Sequence, residues 1–119
     1  MTKNTLLLGA STNQERYSYR ATQMLMSHGF EVCLISKKKG SINGIEFLSQ
    51  IPKLSFHTVT LYISKLFQQE YYQSIIELKP QRVIFNPGTE NNEFQELLTE
   101  NNISFMEACT LVLLSTHQY

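Results

Sequence analysis

Several residue types that carry chemistry are scarce or missing in this chain of 119 residues. It has no aspartate and no tryptophan, and its two cysteines are Cys33 and Cys109. Without aspartate a Ser-His-Asp triad cannot form, and the three histidines (His28, His57 and His117) have no metal-ligand spacing. The sequence therefore indicates neither a metal site nor a catalytic constellation, and it favours a protein that is not an enzyme.

Long apolar segments are also missing. No apolar run is long enough to span a bilayer, and the short run that follows residues 1–4 lacks the length and the cleavage site of a signal peptide. Two cysteines do not indicate a disulfide framework, which fits a reducing compartment. We therefore expect a cytoplasmic protein with no membrane partner, and one domain spanning residues 1–119.

The net charge of zero hides an uneven distribution of charged side chains. Residues 1–40 carry six basic and two acidic side chains, which leaves +4, whereas residues 41–119 carry four and eight, which leaves −4. This balance argues against a nucleic-acid partner. A positive charge gathered in the first third of the chain still favours the binding of one anion at one place.

Continuous apolar runs alternate along the chain with segments in which apolar residues recur at helical spacing. Strands are predicted at residues 5–8, 30–35, 58–63, 82–85 and 103–106. The predicted helices are one that Ser18 caps and Gly29 ends, a long one from Ser64 to Lys79, one that carries Phe94, and a short one over 108–114. Residues 41–56, with a turn signal at 43–44, are predicted to form an excursion before the third strand.

This order of elements predicts an α/β fold. Five strands alternating with four helices imply a single doubly wound domain, with a mostly parallel five-stranded sheet and helices on both faces. Ligands of such folds bind outside the carboxyl ends of the strands, where the strand order reverses. The loops that follow the strands are therefore the candidate ligand contacts.

The loop after the first strand has features of an anion site. Gly9 permits a tight turn, the short polar side chains behind it can donate hydrogen bonds, and a helix N-terminus follows. Neither the G-x-G-x-x-G fingerprint nor the P-loop motif is present, so an ordinary polar loop explains the pattern equally well. The candidate contacts here are Gly9, Ala10, Ser11, Thr12, Asn13, Tyr17, Ser18 and Arg20.

The loop after the second strand bears on the kind of ligand. An NAD site needs an acid there to accept hydrogen bonds from the ribose hydroxyls, but this loop reads Ser36-Lys37-Lys38-Lys39-Gly40. Lysines suit a ligand with an additional phosphate on its adenosine ribose, as in coenzyme A (CoA) and NADP. Ser36, Lys37 and Lys38 are the candidate contacts, and the alternative is a solvated lysine turn.

Two further strand ends contribute candidates. In Asn86-Pro87-Gly88 the proline fixes φ and the glycine allows positive φ, so the backbone can approach a thin ligand, although an ordinary turn explains this equally well. Tyr62 belongs to the corner after the third strand. Cys109 precedes the last element at the same edge, which leaves a redox role open beside simple packing.

Four blocks of sequence resemble a known family. They are residues 8–13 with 16–21 (LGASTN, RYSYRA), 58–62 (TVTLY), 82–91 (RVIFNPGTEN) and 107–114 (EACTLVLL). Together they resemble the small bacterial single-domain CoA-binding proteins, over nearly the whole chain. The resemblance to the CoA-binding domain of the succinyl-CoA synthetase alpha subunit is more distant.

The resemblance implies a Rossmann-like domain that binds CoA or an acyl-CoA without catalysis, as a carrier, sensor or regulator. It implies that Gly9, Ala10, Ser11, Ser18 and Arg20 face the pyrophosphate, that Lys37 and Lys38 meet the adenosine phosphate, and that residues 86–88 border the pantetheine. Relatives often have proline where this chain has Ser36. The ligase domain and phosphorylated histidine of the synthetase have no counterpart here, so acyl-CoA synthesis is not predicted.

Other functions remain open. An NADP-binding, oxidoreductase-like domain would use the same lysines, and a redox module would use Cys109 in a mixed disulfide with the CoA thiol. The fold could also persist without its ligand and act through protein contacts, either with a second copy of the chain or with an unknown partner.

Overall fold

The computed structural model describes residues 3–119, in which strands and helices alternate. The strands are β1 (Thr5–Leu8), β2 (Val32–Ile35), β3 (Ser41–Ile42), β4 (Ile45–Glu46), β5 (Thr58–Leu61), β6 (Arg82–Phe85) and β7 (Ser104–Glu107). The helices are α1 (Tyr17–Ser27), α2 (Tyr72–Leu78), α3 (Asn92–Glu100) and α4 (Thr110–Ser115). None of these four helices has the length and the apolar character needed to cross a membrane.

Five of the strands form one parallel sheet in the order β2-β1-β5-β6-β7. The strand order reverses at β1, because the chain adds β2 on one side of it and β5 on the other. The last residue of β1, Leu8, lies opposite Ile35 of β2 and Leu61 of β5. The predicted α/β fold with a five-stranded parallel sheet is confirmed, and its switch point lies at the carboxyl end of β1.

Helices cover both faces of the sheet. Leu6 and Leu8 of β1 pack in one apolar cluster with Ile75 of α2 and Phe94 of α3. Leu7 points to the opposite face, where the second cluster contains side chains of α1 and α4. Alternate residues of a strand face opposite sides of the sheet, so a strand that is covered on both faces favours apolar residues at successive positions. This explains the run of three leucines at the centre of the fold.

The start of α1 differs from the prediction. Ser18 was expected to cap this helix, but Arg16 occupies the N-cap position and no side chain caps the helix. Ser18 lies in the first turn and is buried. The missing cap leaves backbone amides at this end without a side-chain partner.

The predicted long helix after β5 is also wrong in part. The Ser64 hydroxyl does cap, accepting from the Leu66 N–H at 3.2 Å, but it caps a single 3₁₀ turn (Lys65–Phe67). A second 3₁₀ turn (Gln69–Tyr71) precedes α2, and the two turns form the 3₁₀ segment after β5. Gln68 between the two turns is buried, and its side-chain amide donates to the backbone oxygens of Ile63 and Thr89. These tertiary hydrogen bonds hold Gln68 inward, where the apolar spacing of the sequence predicted a continuous helix.

Residues 41–46 form a small antiparallel hairpin from β3 and β4. Its turn residues Asn43 and Gly44 both have positive φ, at 50° and 84°, which is the turn that this residue pair favours. The hairpin is followed by a bridge between Ile35 and Leu48, which extends the edge of the sheet beside β2.

A tight turn at Gly9 joins the ends of three strands. The N–H groups of Gly9 and Ala10 both donate to the Ile35 oxygen of β2, at 3.0 and 2.9 Å. On the other side, a Cβ atom at Gly9 would lie 2.8 Å from the backbone oxygen of Tyr62, which follows β5. Because φ of Gly9 is also +98°, both space and backbone conformation require glycine at this position.

We expect Gly9→Ala to reduce the free energy of unfolding by about 2–5 kcal/mol, since left-handed strain of about 1–2 kcal/mol adds to overpacking of about 1–3 kcal/mol. Gly29→Ala is the matched control, because Gly29 has φ of +84° but a Cβ atom there would meet no other atom within 4 Å. We expect it to lose only the strain of about 1–2 kcal/mol. Urea unfolding measures both, and equal losses would contradict the role of the Tyr62 contact.

Candidate functional site

A cleft of about 400 Å³ opens at the carboxyl ends of β1, β2 and β5, and we call it the large cleft. It continues into a small cavity of about 210 Å³ between the start of α1 and the loop after β6. The two spaces share five lining residues: Gly9, Ser11, Arg16, Tyr62 and Ile63. They therefore form one path across the switch point, where ligands of doubly wound folds bind.

Another groove, of about 450 Å³, lies between α3 and β7. It is shallow and away from the switch point, and its lining includes Glu96 and Glu100. Two carboxylates would repel a phosphorylated ligand. The path across the switch point is therefore the better candidate site.

Eleven of the fifteen predicted contacts line this path. The large cleft takes Gly9, Ala10, Ser11, Ser36, Lys37, Lys38 and Tyr62. The small cavity shares Gly9, Ser11 and Tyr62 and adds Tyr17, Ser18, Pro87 and Gly88. The structure thus brings together residues that lie up to 79 positions apart in the sequence, from Gly9 to Gly88.

The other four predicted residues lie outside the path. Thr12 packs against Gly40, because a Cβ atom built at Gly40 would lie 2.7 Å from the Thr12 methyl carbon. The Asn13 side chain accepts from the Glu15 N–H at 3.0 Å and so shapes the loop. Arg20 lines a separate groove between α1 and α4 and neither space of the path, although its guanidinium lies 5.8 Å from the centre of the Tyr17 ring.

Asn86 is the fourth of these residues, and its side chain makes its hydrogen bonds in the protein interior. Its amide donates to the Thr60 hydroxyl at 2.7 Å and to the Leu61 oxygen at 2.8 Å, and its oxygen accepts from the Thr110 N–H at 2.8 Å. Asn86 is buried and thus ties β5 and β6 to the first turn of α4. It positions the turn at Pro87 and Gly88 without presenting its own side chain to the path.

The lysine loop lies beside the loop after β1, and both line the large cleft. Lys37 and Lys38 line the large cleft, while Lys39 is exposed outside it. The Ser36 hydroxyl accepts from the Lys38 N–H at 3.1 Å, which turns the loop back over the strand ends. Arg16 adds a third cationic side chain, which was not among the predicted contacts although it lies in a block that carries the resemblance.

The wall opposite the lysines comes from the 3₁₀ segment after β5. Phe67, Glu70 and Tyr71 line it, and none of them was predicted as a contact. Glu70 Oε1 lies 2.5 Å from Lys37 Nζ, so the two walls are joined by an ion pair. The hydrogen bond and charge of Glu70 raise the pKa of Lys37 above its usual value. The prediction of one long helix hid this wall, because such a helix would turn Phe67 and Tyr71 toward the core.

The uncapped N-terminus of α1 meets the small cavity through Arg16, Tyr17 and Ser18. Free backbone amides and the helix dipole favour an anion there. The backbone amides of Gly9 and Ala10 are not free, because both donate to Ile35. The Gly88 N–H donates to the Glu90 carboxylate at 2.9 Å. Unlike these three amides, those of the first turn of α1 are free to meet an anion.

Tyr62 lies where the large cleft and the small cavity meet. Its ring packs with the cluster formed by α1 and α4, and its buried hydroxyl finds no hydrogen-bond partner within residues 3–119. Burial raises the pKa of Tyr62, so the phenol keeps its proton at neutral pH. Tyr62 therefore contributes a neutral surface to the path.

Cys109 is half-buried at the N-cap position of α4 and lines neither the large cleft nor the small cavity. Cys33 lies in β2, and burial raises the pKa of its thiol. No group of three or more metal-ligating side chains occurs in the part of the chain that the structure describes.

Comparison with known proteins gives a family and several structural relatives. The family model described as CoA binding domain matches residues 3–115. An uncharacterised protein of known crystal structure is 45% identical, with a TM-score of 0.96, and the match covers 100% of this chain and 99% of that one. No curated protein matches the sequence.

Two more distant structures share the fold. A protein from Thermus thermophilus is 17% identical, with a TM-score of 0.86 over 99% of this chain and 91% of its own. A hypothetical protein from Pyrococcus horikoshii OT3 is 23% identical, with a TM-score of 0.88 over 97% of this chain and 83% of its own. At these identities the likeness concerns the fold alone.

We expect Asn86→Ala to lower the free energy of unfolding by about 2–6 kcal/mol, because it leaves the buried Thr110 N–H and Leu61 oxygen without a partner, at about 1–3 kcal/mol for each such group. The control is Asn101→Ala, since Asn101 is exposed at the end of α3 and its amide bonds only the Leu97 oxygen. That change should stay within about 0.5–1 kcal/mol. Similar losses in thermal and urea unfolding would refute the positioning role of Asn86.

Proposed function

Because the chain belongs to the CoA binding domain family, we propose that it binds CoA or an acyl-CoA along the path formed by the large cleft and the small cavity. One observation carries this proposal: Lys37 and Lys38 line one end of a continuous path, an uncapped helix N-terminus lies at the other, and Arg16 lines both spaces. A ligand with two separate anionic groups suits such an arrangement.

The phosphate of the adenosine ribose is assigned to Lys37 and Lys38. Both line the large cleft from the loop after β2, and both are exposed enough to move toward a ligand. The Ser36 hydroxyl can donate to the same phosphate, because its oxygen accepts from Lys38 while its proton is uncommitted. Phe67 and Tyr71 on the opposite wall offer aromatic surface to the adenine ring.

The pyrophosphate is assigned to the first turn of α1. Ser11 and Arg16 line both the large cleft and the small cavity, so they lie between the lysines and the helix end. The Ser11 oxygen accepts from the Asn13 N–H, which leaves its proton for the ligand. Arg20 lies outside the path, so we assign Arg16 rather than Arg20 to the pyrophosphate.

The pantetheine arm is assigned to the small cavity, between Tyr62 and the turn at Pro87 and Gly88. Gly88 has φ of +92° and open space around it, so backbone alone borders the ligand there. The cavity has about 210 Å³ against about 400 Å³ for the large cleft, and the smaller volume suits a thin chain better than a ring system. An acyl group on the thiol would extend beyond this cavity.

We propose a role in binding rather than in catalysis, as a cytoplasmic carrier, sensor or regulator. Such a role needs a second copy of the chain or another protein to receive the ligand or the signal. NADP carries a ribose phosphate too and is therefore included in the test. A redox role of Cys109 has less support, because the cysteine lines neither space of the path.

We expect wild-type protein to bind CoA at least about tenfold more tightly than dephospho-CoA in isothermal titration calorimetry, since charge-assisted hydrogen bonds contribute about 1.5–3 kcal/mol. Lys37→Gln/Lys38→Gln should abolish most of this difference by weakening CoA binding and leaving dephospho-CoA nearly unaffected. NADP should bind more weakly than CoA to the wild type.

The matched control is Lys39→Gln, which removes the same charge from the same loop at a residue outside the large cleft. It should retain nearly all of the preference for CoA. Absence of CoA binding by the wild type would end the proposal, and tighter binding of NADP would replace it with the NADP alternative. Equal effects of Lys39→Gln and of the double change would show that the assigned contacts are wrong.

A further inference from the structure

The ion pair between Lys37 and Glu70 occupies the position assigned to a ligand phosphate. Lys37 comes from the loop after β2 and Glu70 from the second 3₁₀ turn after β5, so the pair spans the large cleft from wall to wall. It is the one salt bridge found between side chains of residues 3–119. Both side chains are largely exposed, at 68% and 50%, so the pair can open without unfolding its surroundings.

Glu70 is the acid that the loop after β2 lacks. Residues 36–40 contain no carboxylate that could accept hydrogen bonds from ribose hydroxyls, and this argued against NAD as the ligand. The fold brings such a carboxylate to the same place from the opposite wall. The preference of the cleft for a phosphorylated ribose therefore depends on both side chains, and not on the lysines alone.

A ligand with a ribose phosphate must separate Lys37 from Glu70 or place its phosphate beside a carboxylate. Either event costs free energy, because opposite charges are parted or like charges are brought together. A ligand without that phosphate leaves the pair intact, and its ribose hydroxyls can donate to the Glu70 carboxylate. Both effects weaken the binding of the phosphorylated ligand relative to that of the unphosphorylated one.

We propose that Glu70 is a specificity-determining residue, which sets how strongly the large cleft prefers a phosphorylated over an unphosphorylated adenosine ribose by competing for Lys37. This inference rests on the function proposed above and deepens it. By pairing with Lys37, the Glu70 carboxylate reduces the preference for a phosphorylated ribose that Lys37 and Lys38 create. It also keeps Lys37 paired when no ligand is bound, so that the charge of Lys37 attracts other anions less strongly.

The test measures the ratio of dissociation constants for dephospho-CoA and CoA by titration calorimetry at low ionic strength. Glu70→Gln keeps the size of the side chain and removes its charge, and we expect the ratio to rise about two- to fivefold, which is the range that exposed ion pairs allow. CoA binding should tighten, whereas dephospho-CoA binding should stay the same or weaken. The gain should shrink at high salt, because both charges are exposed.

A double-mutant cycle identifies the cause. In a Lys37→Gln background, Glu70→Gln should raise the ratio by clearly less than it does in the wild type, because the pair is already lost and only the direct effects of the carboxylate on the phosphate and the ribose hydroxyls remain. The matched control is Glu77→Gln, an exposed glutamate on α2 that lines neither the large cleft nor the small cavity and should leave the ratio unchanged.

The outcomes separate this inference from the proposed function. If the wild type binds CoA and Lys37→Gln weakens that binding, but Glu70→Gln leaves the ratio unchanged, only the role of Glu70 is overturned. A rise of the same size in the Lys37→Gln background would also overturn it, because the effect would not pass through the pair. If the wild type binds neither ligand, the proposed function itself fails and the role of Glu70 falls with it.

Discussion

The placement of β1 between β2 and β5 is the constraint on which the site depends. The two parallel registers set Leu8 opposite both Ile35 and Leu61, so the three loops that follow must leave the sheet at one edge. Hydrogen bonds from Gly9 and Ala10 to Ile35, and from the Tyr62 N–H to the Leu8 oxygen, hold the strand ends together. The large cleft exists because these loops diverge above a shared base.

The electrostatics of the site follow from this geometry more than from the composition. A chain with ten basic and ten acidic residues has no net charge to attract an anion. The fold nevertheless gathers Lys37, Lys38 and Arg16 around one cleft and sets a single acid, Glu70, among them. A local field of this kind can select a ligand in a protein that is neutral overall.

Buried polar side chains position the far side of the path. Asn86 joins β5, β6 and α4, while Gln68 links the 3₁₀ segment to the oxygen of Thr89. Asn91 caps α3 and donates to the Gln68 side chain, which closes the network. Buried polar groups need such partners, and meeting that need here also fixes the wall that carries Phe67 and Glu70.

Much of this architecture could be predicted from local pattern. Continuous apolar runs predicted the buried strands, and the predicted bounds of β6 are those observed. The Asn43-Gly44 pair predicted the hairpin turn. The resemblance identified the family over nearly the whole chain. Helix starts were less predictable: Ser18 has the residue type of a cap, but the chain enters α1 two residues earlier, through Arg16.

By itself, the sequence determined the order of the elements, the parallel sheet, and the lysine-rich loop at its carboxyl edge. Alternation, apolar runs and charge are properties of neighbouring residues, and they can be read without knowing the fold. Only the tertiary structure decided that Glu70 faces Lys37, that Arg16 rather than Arg20 reaches the path, and that Asn86 points inward. Each of these depends on which distant residues meet, because a side chain's direction is fixed by the groups that pack and hydrogen-bond around it.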